Sequence, residues 1–600
     1  MIVGIDLGTS TSEVAVLKHG RPVLLREVRG SSHGILPSVV GVGTDGRLQV
    51  GDLAVNQLVL KPELTTEEVK RKMGSDERIR LGGEDYSPQE VSALILRHLK
   101  EEAEKALGTP VTEAVITVPA YFNAIQRRAT HEAGELAGLT VRRLLNEPTA
   151  AALVYGLERP DVEEKIVVYD FGGGTLDVTL LELSEGVLDV LASTGNDRLG
   201  GKDFDERLMQ LLHDECQRAI GIDLFSTLRL KQRLKGAARK AKEELSSLES
   251  TSVIMDNIGI APSGEFLDFE YVVSRAALEG LVRDLVLSTQ AQLDEALGVK
   301  GLVPGDVDKI LMVGGSTRVP CVRQFVSEYF GGRPLLGELS PDEAVALGAA
   351  VLAGIESREL DPERIVVTDV SPWTLGVAVL EDVGGAPVSD VFSPLIEKQS
   401  TIPRTAKKTY RTAVDWQRSV LVRVYQGDAP LCKDNVLVGS FQLDEFPPAP
   451  AGQEIEIEFS YNLNNQVDVV ARHVTSGRQT RASMQPSRAH LSPTEKDAAR
   501  EKLDRVWARG RDKAGPTTSA GSVKRTSSQV PTPTWQASRL YGRVAPVMHQ
   551  AEKRLPTLDP TQRDRVSGLF EGLKQALLTN DETQVRQLEE RLIDLLFELE

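Results

Sequence analysis

Cysteine is scarce in this chain: Cys216, Cys321 and Cys432 are its three, far apart and without a Cys-x-x-Cys pair. That spacing argues against a disulfide framework and against the common zinc sites, and it suits a reducing compartment. Aromatic residues make up only 5% of the sequence, thin for cores drawn from a 41% hydrophobic content. Positive charge is in deficit as well. The formal net charge of −17 favours solubility and argues against a broad phosphate-binding surface, so nucleic acid is not an expected partner. No apolar run approaches the roughly 18 residues that a membrane helix needs. Asp6 interrupts the N-terminal apolar stretch too early for a signal-peptide core. The expectation is a cytoplasmic protein without a membrane partner. A Gly-x-x-x-x-Gly-Lys-Ser/Thr stretch is also missing, which removes the P-loop class.

What the chain does have is length. Its 600 residues exceed the roughly 250–300 at which single cores stop growing, so two or more domains are expected. The first part alternates strands and helices, the pattern of an α/β core. Ile2–Leu7 and Ser12–Leu17 predict a hairpin about Gly8-Thr9-Ser10. Ser87-Pro88-Gln89-Glu90 reads as a capping box opening a helix, with Val91, Leu94, Ile95, Leu99, Ala103 and Ala106 on one face and Gly108 to stop it. Strands are predicted at Ala114–Val118, Ile166–Asp170, Leu176–Leu183 and Lys309–Val313.

From Val370 to about Met484 the texture changes to short strands between turns, an all-β pattern with examples at Val420–Tyr425, Val436–Phe441 and Glu454–Phe459. Ser492-Pro493-Thr494-Glu495 is a second capping box, opening a charged helix to about Trp507. Between Ala514 and Thr534, fourteen of twenty-one residues are Gly, Pro, Ser or Thr, too polar to bury a core, and a mobile loop is expected. Asp559 would cap a helix carrying Val566, Leu569, Phe570, Leu573 and Leu577. A last helix would present Val585, Leu588, Leu592, Leu595 and Leu596.

One pattern occurs twice. Ile5-Asp6-Leu7-Gly8-Thr9-Ser10 is echoed by Tyr169-Asp170-Phe171-Gly172-Gly173-Gly174-Thr175, each followed by an apolar strand. Either two related lobes face one ligand, or these are two ordinary glycine turns; the local pattern leaves both open. A nucleoside triphosphate needs backbone N–H groups for its phosphates and carboxylates for the hydration shell of its metal. Both loops meet those needs, with Asp6, Asp170 and Asp177 as carboxylates and Thr9, Ser10, Thr11 and Thr175 as hydroxyls.

The segments GIDLGTSTS, VKRKMG, VITVPAYFN, LLNEPTAAALVYGL, VYDFGGGTLDV, LGGKDFD, VGGSTRVP and SPDEAVALGAA occur in the order of the ATPase domain of the seventy-kilodalton heat-shock (DnaK-type) chaperones. Together they span about Met1 to Gly354, and the chain resembles that family. The resemblance implies a two-lobed, actin-like α/β ATPase domain over 1–362 and a linker over 363–370. A β-sandwich-like peptide-binding domain over 371–490 and an α-helical lid over 491–600 would follow, with the loop at 514–534 breaking the lid.

The resemblance also assigns roles. Gly8, Thr9, Ser10 and Thr11 would form one phosphate loop and Gly173, Gly174 and Thr175 the other. Asp6, Asp170 and Asp177 would hold Mg2+ through water. Lys70 and Glu147 would position the attacking water, with Asp170 and Thr175 beside them. Gly315, Ser316, Arg318, Asp342, Lys242 and Ser246 would hold the adenosine of ATP or ADP. Pro119, Arg127 and Asp369 would relay nucleotide state between domains. Without the resemblance, Lys70 would read as a solvated surface charge and Glu147 as a loop residue.

In the second half the match is looser. Val377, Val379, Leu380, Tyr410, Ala413, Val420 and Val422 fall where the family clamps an extended peptide, although by their pattern alone they read as sheet core. Three departures stand out. Arg239 replaces the usual glutamate beside the adenine pocket, which puts the usual contact across the cleft in doubt. Thr368 interrupts a linker that is usually leucine-rich, so weaker apolar docking and weaker coupling are expected. The late hairpin SYNLNNQVDVVARHV lacks its usual glycine.

The function expected is an ATP-hydrolysing chaperone that binds and releases apolar segments of unfolded clients. A J-domain cochaperone and a nucleotide exchange factor are implied partners. The chain ends Glu598-Leu599-Glu600 without an acidic tail signal, which leans towards a bacterial-type member. The alternatives are a specialised relative with low ATPase and one dedicated client, and a phosphotransferase or filament protein on the same fold.

Overall fold

The computed structural model describes residues 1–25, 35–157, 159, 162–261, 266–336, 340–341, 343–361, 366–384, 386–463, 466–484, 491–511, 544, 548, 560–579, 584–585, 588 and 591–592. They fall into two compact units, Met1–Ala514 and Gly515–Glu600.

Two sheets in the first unit are built alike. The first joins β1 (Ile2–Leu7), β2 (Thr11–Lys18), β3 (Arg21–Leu24), β4 (Glu113–Val118) and β5 (Thr140–Asn146) in the order β5-β4-β1-β2-β3. The second joins β6 (Glu164–Phe171), β7 (Leu176–Ser184), β8 (Val187–Asn196), β9 (Lys309–Val313) and β10 (Leu335–Leu336) in the order β10-β9-β6-β7-β8. Each opens with an antiparallel hairpin whose first strand pairs in parallel with a later one. The repeated glycine pattern is therefore a structural duplication. The predicted strands are present, most of them longer by a residue or two.

The sheets meet through a helix from each half, α3 (Glu147–Leu157) and α6 (Ala344–Glu356), both rich in alanine and buried. A Cβ on Gly348 would lie 1.8 Å from the Ala150 carbonyl oxygen, so only glycine allows the helices to come this close. Around this seam each lobe has its own core. One gathers Val3, Ile5, Leu94 and Ile116; the other gathers Tyr169, Phe171, Phe204 and Leu234.

Helix α1 (Pro88–Leu107) starts at the Ser87/Glu90 capping box and stops at left-handed Gly108, as its sequence requires. Helix α2 (Ala124–Leu136) is likewise boxed by Asn123 and Gln126. In the second lobe α4 (Gly201–Ile220) and α5 (Leu228–Leu245) pack over the sheet. A short strand, β11 (Val366–Val367), adds in parallel to the edge of β8.

The all-β part is a sandwich of two four-stranded antiparallel sheets. One holds β12 (Leu375–Val383), β13 (Ala386–Ile396), β15 (Val420–Gln426) and β16 (Val436–Leu443). The other holds β14 (Arg404–Arg411), β17 (Glu454–Tyr461), β18 (Val467–His473) and β19 (Gln479–Met484). Strict alternation places Ile455, Ile457, Phe459 and Tyr461 inward.

Helix α7 (Pro493–Arg511) starts at the reciprocal Ser492–Glu495 box and runs four residues past its expected end. It packs on the first lobe: Ala499, Leu503, Val506 and Trp507 join that lobe's core. Lys502 pairs with Glu90 at 2.5 Å, and Trp507 donates to Glu101 at 2.7 Å. The expected mobile loop at 514–534 and the caps and leucines at Asp559, Leu595 and Leu596 lie outside the described residues. In the second unit, helix α8 (Pro560–Thr579) buries Val566, Phe570, Leu573 and Leu577 with Val544, Met548, Val585 and Leu592. Its apolar face is the one that the sequence predicts.

Candidate functional site

Between the two lobes lies a cavity of about 360 Å³ whose walls include both glycine loops. The second loop packs as bare backbone against the Thr9 and Ser10 side chains of the first. A Cβ on Gly173 would meet the Ser10 hydroxyl at 2.3 Å, and one on Gly174 the Thr9 hydroxyl at 2.8 Å. The Gly172 carbonyl accepts from the Gly201 amide at 3.0 Å and from the Ser316 hydroxyl at 2.7 Å, which tethers three loops to one point. Backbone approach of this kind leaves amides available to an anion.

Lys70, on a short 3-10 turn, is only 5% exposed and pairs with Glu147, the first residue of α3. Burial opposes the Lys70 charge, yet Glu147, then Asp6 and Asp170, hold its ammonium above the ordinary value. Asp170 is pushed well above the usual carboxylate range by burial and by repulsion from Glu147, Asp177 and Asp6. Asp177 is lifted to about 7, chiefly by burial. It stands behind the cavity wall and accepts from the Tyr121 amide at 3.2 Å, while Asp6 accepts from the Thr117 hydroxyl at 2.8 Å. Such a concentration of buried carboxylates is costly unless a cation relieves it.

Gly315, Ser316, Arg318 and Lys242 line the cavity. Lys242 donates to the Gly201 carbonyl at 3.1 Å and pairs with Asp205 at 2.7 Å. Ser246 is one turn further along, bonded to the Lys242 carbonyl at the end of α5. Asp342 lies outside the described residues.

Arg239 also lines the cavity, and it crosses the cleft in the reverse electrical sense. It reaches Glu67 at 3.3 Å, Glu68 at 3.6 Å and Asp205 at 3.6 Å. Lys235, one turn earlier, pairs with Glu67 at 2.7 Å and also with Glu68, and Lys202 reaches Glu68 at 3.1 Å. Glu67 and Glu68 sit beside Val69 of the first lobe's core, whereas Leu234 and Ala238 of α5 belong to the second's. A cross-cleft contact is thus present, with the acids on the first lobe and the bases on the second. Sequence reasoning missed Glu67, Glu68, Lys202, Asp205 and Lys235. Their signal was adjacency: Glu67-Glu68 directly precede Val69-Lys70, and Lys202 and Asp205 fall within the noted LGGKDFD.

From this floor a hydrogen-bonded chain leads away. Arg127 donates to the Phe122 carbonyl (2.9 Å), the Ala120 carbonyl (2.8 Å) and Asn146 (2.7 Å). Asn146 donates on to Asp369 at 2.7 Å. Pro119 accepts from the Phe122 amide at 3.2 Å. Asn146, which the sequence did not single out, directly precedes Glu147.

The expected peptide residues do not form one surface. Val377 and Val422, each 4% exposed, are part of the sandwich core. Val379, Tyr410 and Val420 are partly buried at the edge of that core. The Tyr410 hydroxyl meets Ser393 at 3.1 Å, bridging the two sheets. Leu380 and Ala413 are exposed. Alternation within one strand separates Val379 from Leu380.

At the linker Thr368 makes polar bonds. Its hydroxyl is not placed against an apolar surface; it donates to Asp189 and accepts from the Val190 amide at 3.2 Å. The Thr368 amide donates to the Leu188 carbonyl at 3.1 Å, continuing the pairing of β11 with β8.

A family model described as Hsp70 protein matches residues 2–530. The chaperone protein DnaK of Thermotoga petrophila is 45% identical over 484 residues, covering 80% of this chain and 79% of that one. The chaperone protein DnaK of Picrophilus torridus is 39% identical over 594 residues, covering 98% and 92%. These relatives do not favour the specialised, low-turnover alternative, nor a phosphotransferase or filament protein. The chain belongs to the Hsp70 family, with its two-lobed actin-like ATPase and substrate-binding domain, and is an ATP-dependent molecular chaperone that hydrolyses ATP.

Proposed function

We propose that the chain is a nucleotide-gated peptide clamp organised as an ATPase domain over 1–362, a linker over 363–370, a peptide-binding sandwich over 371–490 and a helical lid over 491–600. The observation that carries the nucleotide half is the convergence of two equivalent hairpin loops on one cavity. The phosphates of ATP lie on Gly8–Thr11 and on Gly173, Gly174 and Thr175. Gly315, Ser316, Arg318, Lys242 and Ser246 receive the adenosine, with Asp342 as a further contact.

Asp6, Asp170 and Asp177 fit magnesium held through water, since Asp170 and Asp177 are buried carboxyls whose ionisation burial and neighbouring acids oppose and a cation would relieve. Among the described residues no acidic, histidine or cysteine cluster is close enough to ligate a metal directly. Bound there, the ion supplies charge neutralisation to the phosphates. Lys70 and Glu147 orient a water in line with the γ-phosphate; Asp170 and Thr175 complete the polar floor. Preorganised charge at the developing transition state is the main source of rate.

Pro119, Arg127 and Asp369 act as the relay, supported by the hydrogen bonds through Asn146. Val379, Tyr410 and Val420 form the rim of the peptide pocket, Val377 and Val422 its floor, and Leu380 and Ala413 its surroundings. Extended apolar segments of unfolded clients are the ligands. A J-domain cochaperone and a nucleotide exchange factor follow from family membership. The cytoplasm is the proposed location, in keeping with three free cysteines.

Lys70→Ala tests this reading. It is expected to keep ATP while slowing single-turnover hydrolysis by roughly 10²-fold, about 3 kcal/mol of barrier. Hydrolysis within about threefold of the parent chain would remove Lys70 from the mechanism.

A further inference from the structure

A second cavity, of about 170 Å³, lies between the first lobe and the β-sandwich. One wall, from α2 and β5, presents Arg127, Arg128, His131, Arg142 and Arg143. The other, from the sandwich, presents the polar groups of Gln426, Tyr461 and Gln466. Among the described residues no acidic one lines it. The carboxylates that meet these bases lie outside the wall: Glu132 for Arg128, Glu113 for Arg142 and Glu356 for Arg143.

Arg127 is the decisive group. It is 4% exposed, and among the described residues no carboxylate pairs with it. Two of its nitrogens are spent on carbonyls and Asn146, and Nη1 has no hydrogen-bond partner. Asp369, the nearest acid on this side, is engaged by Asn146 and by the Val370 amide. A buried guanidinium with a spare donor is costly, and an oxyanion oxygen would satisfy that donor with a charge-assisted bond. The volume is that of roughly five or six waters, ample for a phosphate group with some hydration.

We propose that this cavity binds a small oxyanion of the phosphate class, held between Arg127 and its neighbouring bases on one side and the amides of the sandwich on the other. Because the two walls belong to different domains, an anion there favours their association. By linkage, association favours the anion. The site is separate from the nucleotide cleft and does not depend on the roles proposed for that cleft.

The test uses the full chain carrying Lys70→Ala with saturating ATP, so that the cleft cannot take up the probe. Inorganic phosphate is titrated by calorimetry, with glycerol phosphate as a second probe. Saturable one-site binding is expected, weakened about tenfold or more by Gln466→Glu, which sets a carboxylate on the wall at nearly unchanged shape. Arg142→Gln is expected to weaken it in the same direction, and its exposed position keeps the fold safe should Gln466→Glu disturb it. Both variants should melt as the parent does. Binding of both probes assigns the site to phosphate esters and free phosphate alike; binding of free phosphate alone assigns it to the ion. Either supports the proposal. Non-saturable uptake, or saturable uptake that neither variant changes, overturns it, and the cavity then holds water only. Should Lys70→Ala fail to retain ATP, the reading of the cleft is at fault, and phosphate uptake that Gln466→Glu and Arg142→Gln weaken still decides this site, since neither residue lines the cleft.

Discussion

The nucleotide cleft is walled with charges and the interior of the sandwich with valines, and the two tolerate change in opposite ways. In the cleft Lys70, Asp170 and Asp177 are 5%, 6% and 1% exposed; Glu147, Asp6 and Asp170 hold the Lys70 charge, while the acids repel one another. Removing Lys70 strands those acids in a medium that penalises unpaired charge. In the sandwich Val377 and Val422 pack with Val424, Ile457 and Phe459, and what counts is volume. Chemical identity decides the first region, and shape decides the second. The same contrast explains why a cleft residue is hard to mistake for packing, whereas a pocket valine is hard to tell from core.

The loss of hydrolysis in Lys70→Ala is the largest effect expected. Next comes the sandwich, where a paired substitution separates floor from rim. Val422→Phe overfills the core and should destabilise the sandwich by about 1–3 kcal/mol, read by urea unfolding. Val420→Phe, at the partly buried edge, should instead weaken binding of a Leu-rich labelled peptide in fluorescence anisotropy while stability holds. If the two variants exchange these phenotypes, the assignment of floor and rim is reversed.

Asp177 gives the cleft a pH signature. Its carboxyl stands at about 7 in the folded state against an ordinary 3.8, so between those values the folded chain keeps a proton that the unfolded chain has released. Its contribution to stability is therefore greatest below the lower value and is lost as pH rises towards the higher one. Thermal unfolding of the nucleotide-free protein between about pH 5 and pH 7 should show that decline, and Asp177→Asn should flatten it. An unchanged slope in the variant would assign the decline to other groups.

A smaller effect is expected at the mouth of the cleft. Arg239→Glu faces Glu67, Glu68 and Asp205 with like charge and should speed nucleotide release roughly fivefold, about 1 kcal/mol for a partly exposed pair. Glu67→Arg in the same chain should restore most of the difference. Stopped-flow release of a fluorescent ADP measures both, and an unaltered rate in Arg239→Glu would mean that Lys235 and Lys202 hold the cleft without it.

Smallest is the linker. Thr368→Val keeps the shape and deletes the bonds to Asp189 and Val190, worth about 1 kcal/mol. Peptide stimulation of the ATPase should fall in Thr368→Val and should not rise in Thr368→Leu. A clear gain in Thr368→Leu would restore the apolar-docking account of this linker.

The sequence by itself determined the local decisions. Capping boxes at Ser87 and Ser492 set helix starts, glycines at 8, 173 and 174 marked loops that backbone must approach, and the alternation at Glu454–Tyr461 defined an inner face. These signals act between near neighbours in the chain, so they can be read in a line of letters. The tertiary structure alone decided which residues meet from a distance. It brought Glu67 and Glu68 to Lys235 and Arg239, placed the Thr368 hydroxyl on Asp189, buried Val377 and Val422, and lined one cavity with Arg127 and further bases from α2 and β5. A charge or a valine carries no mark of its partner in the sequence. Its role follows from the dielectric and the neighbours that folding supplies, and these are set by packing between elements rather than within them.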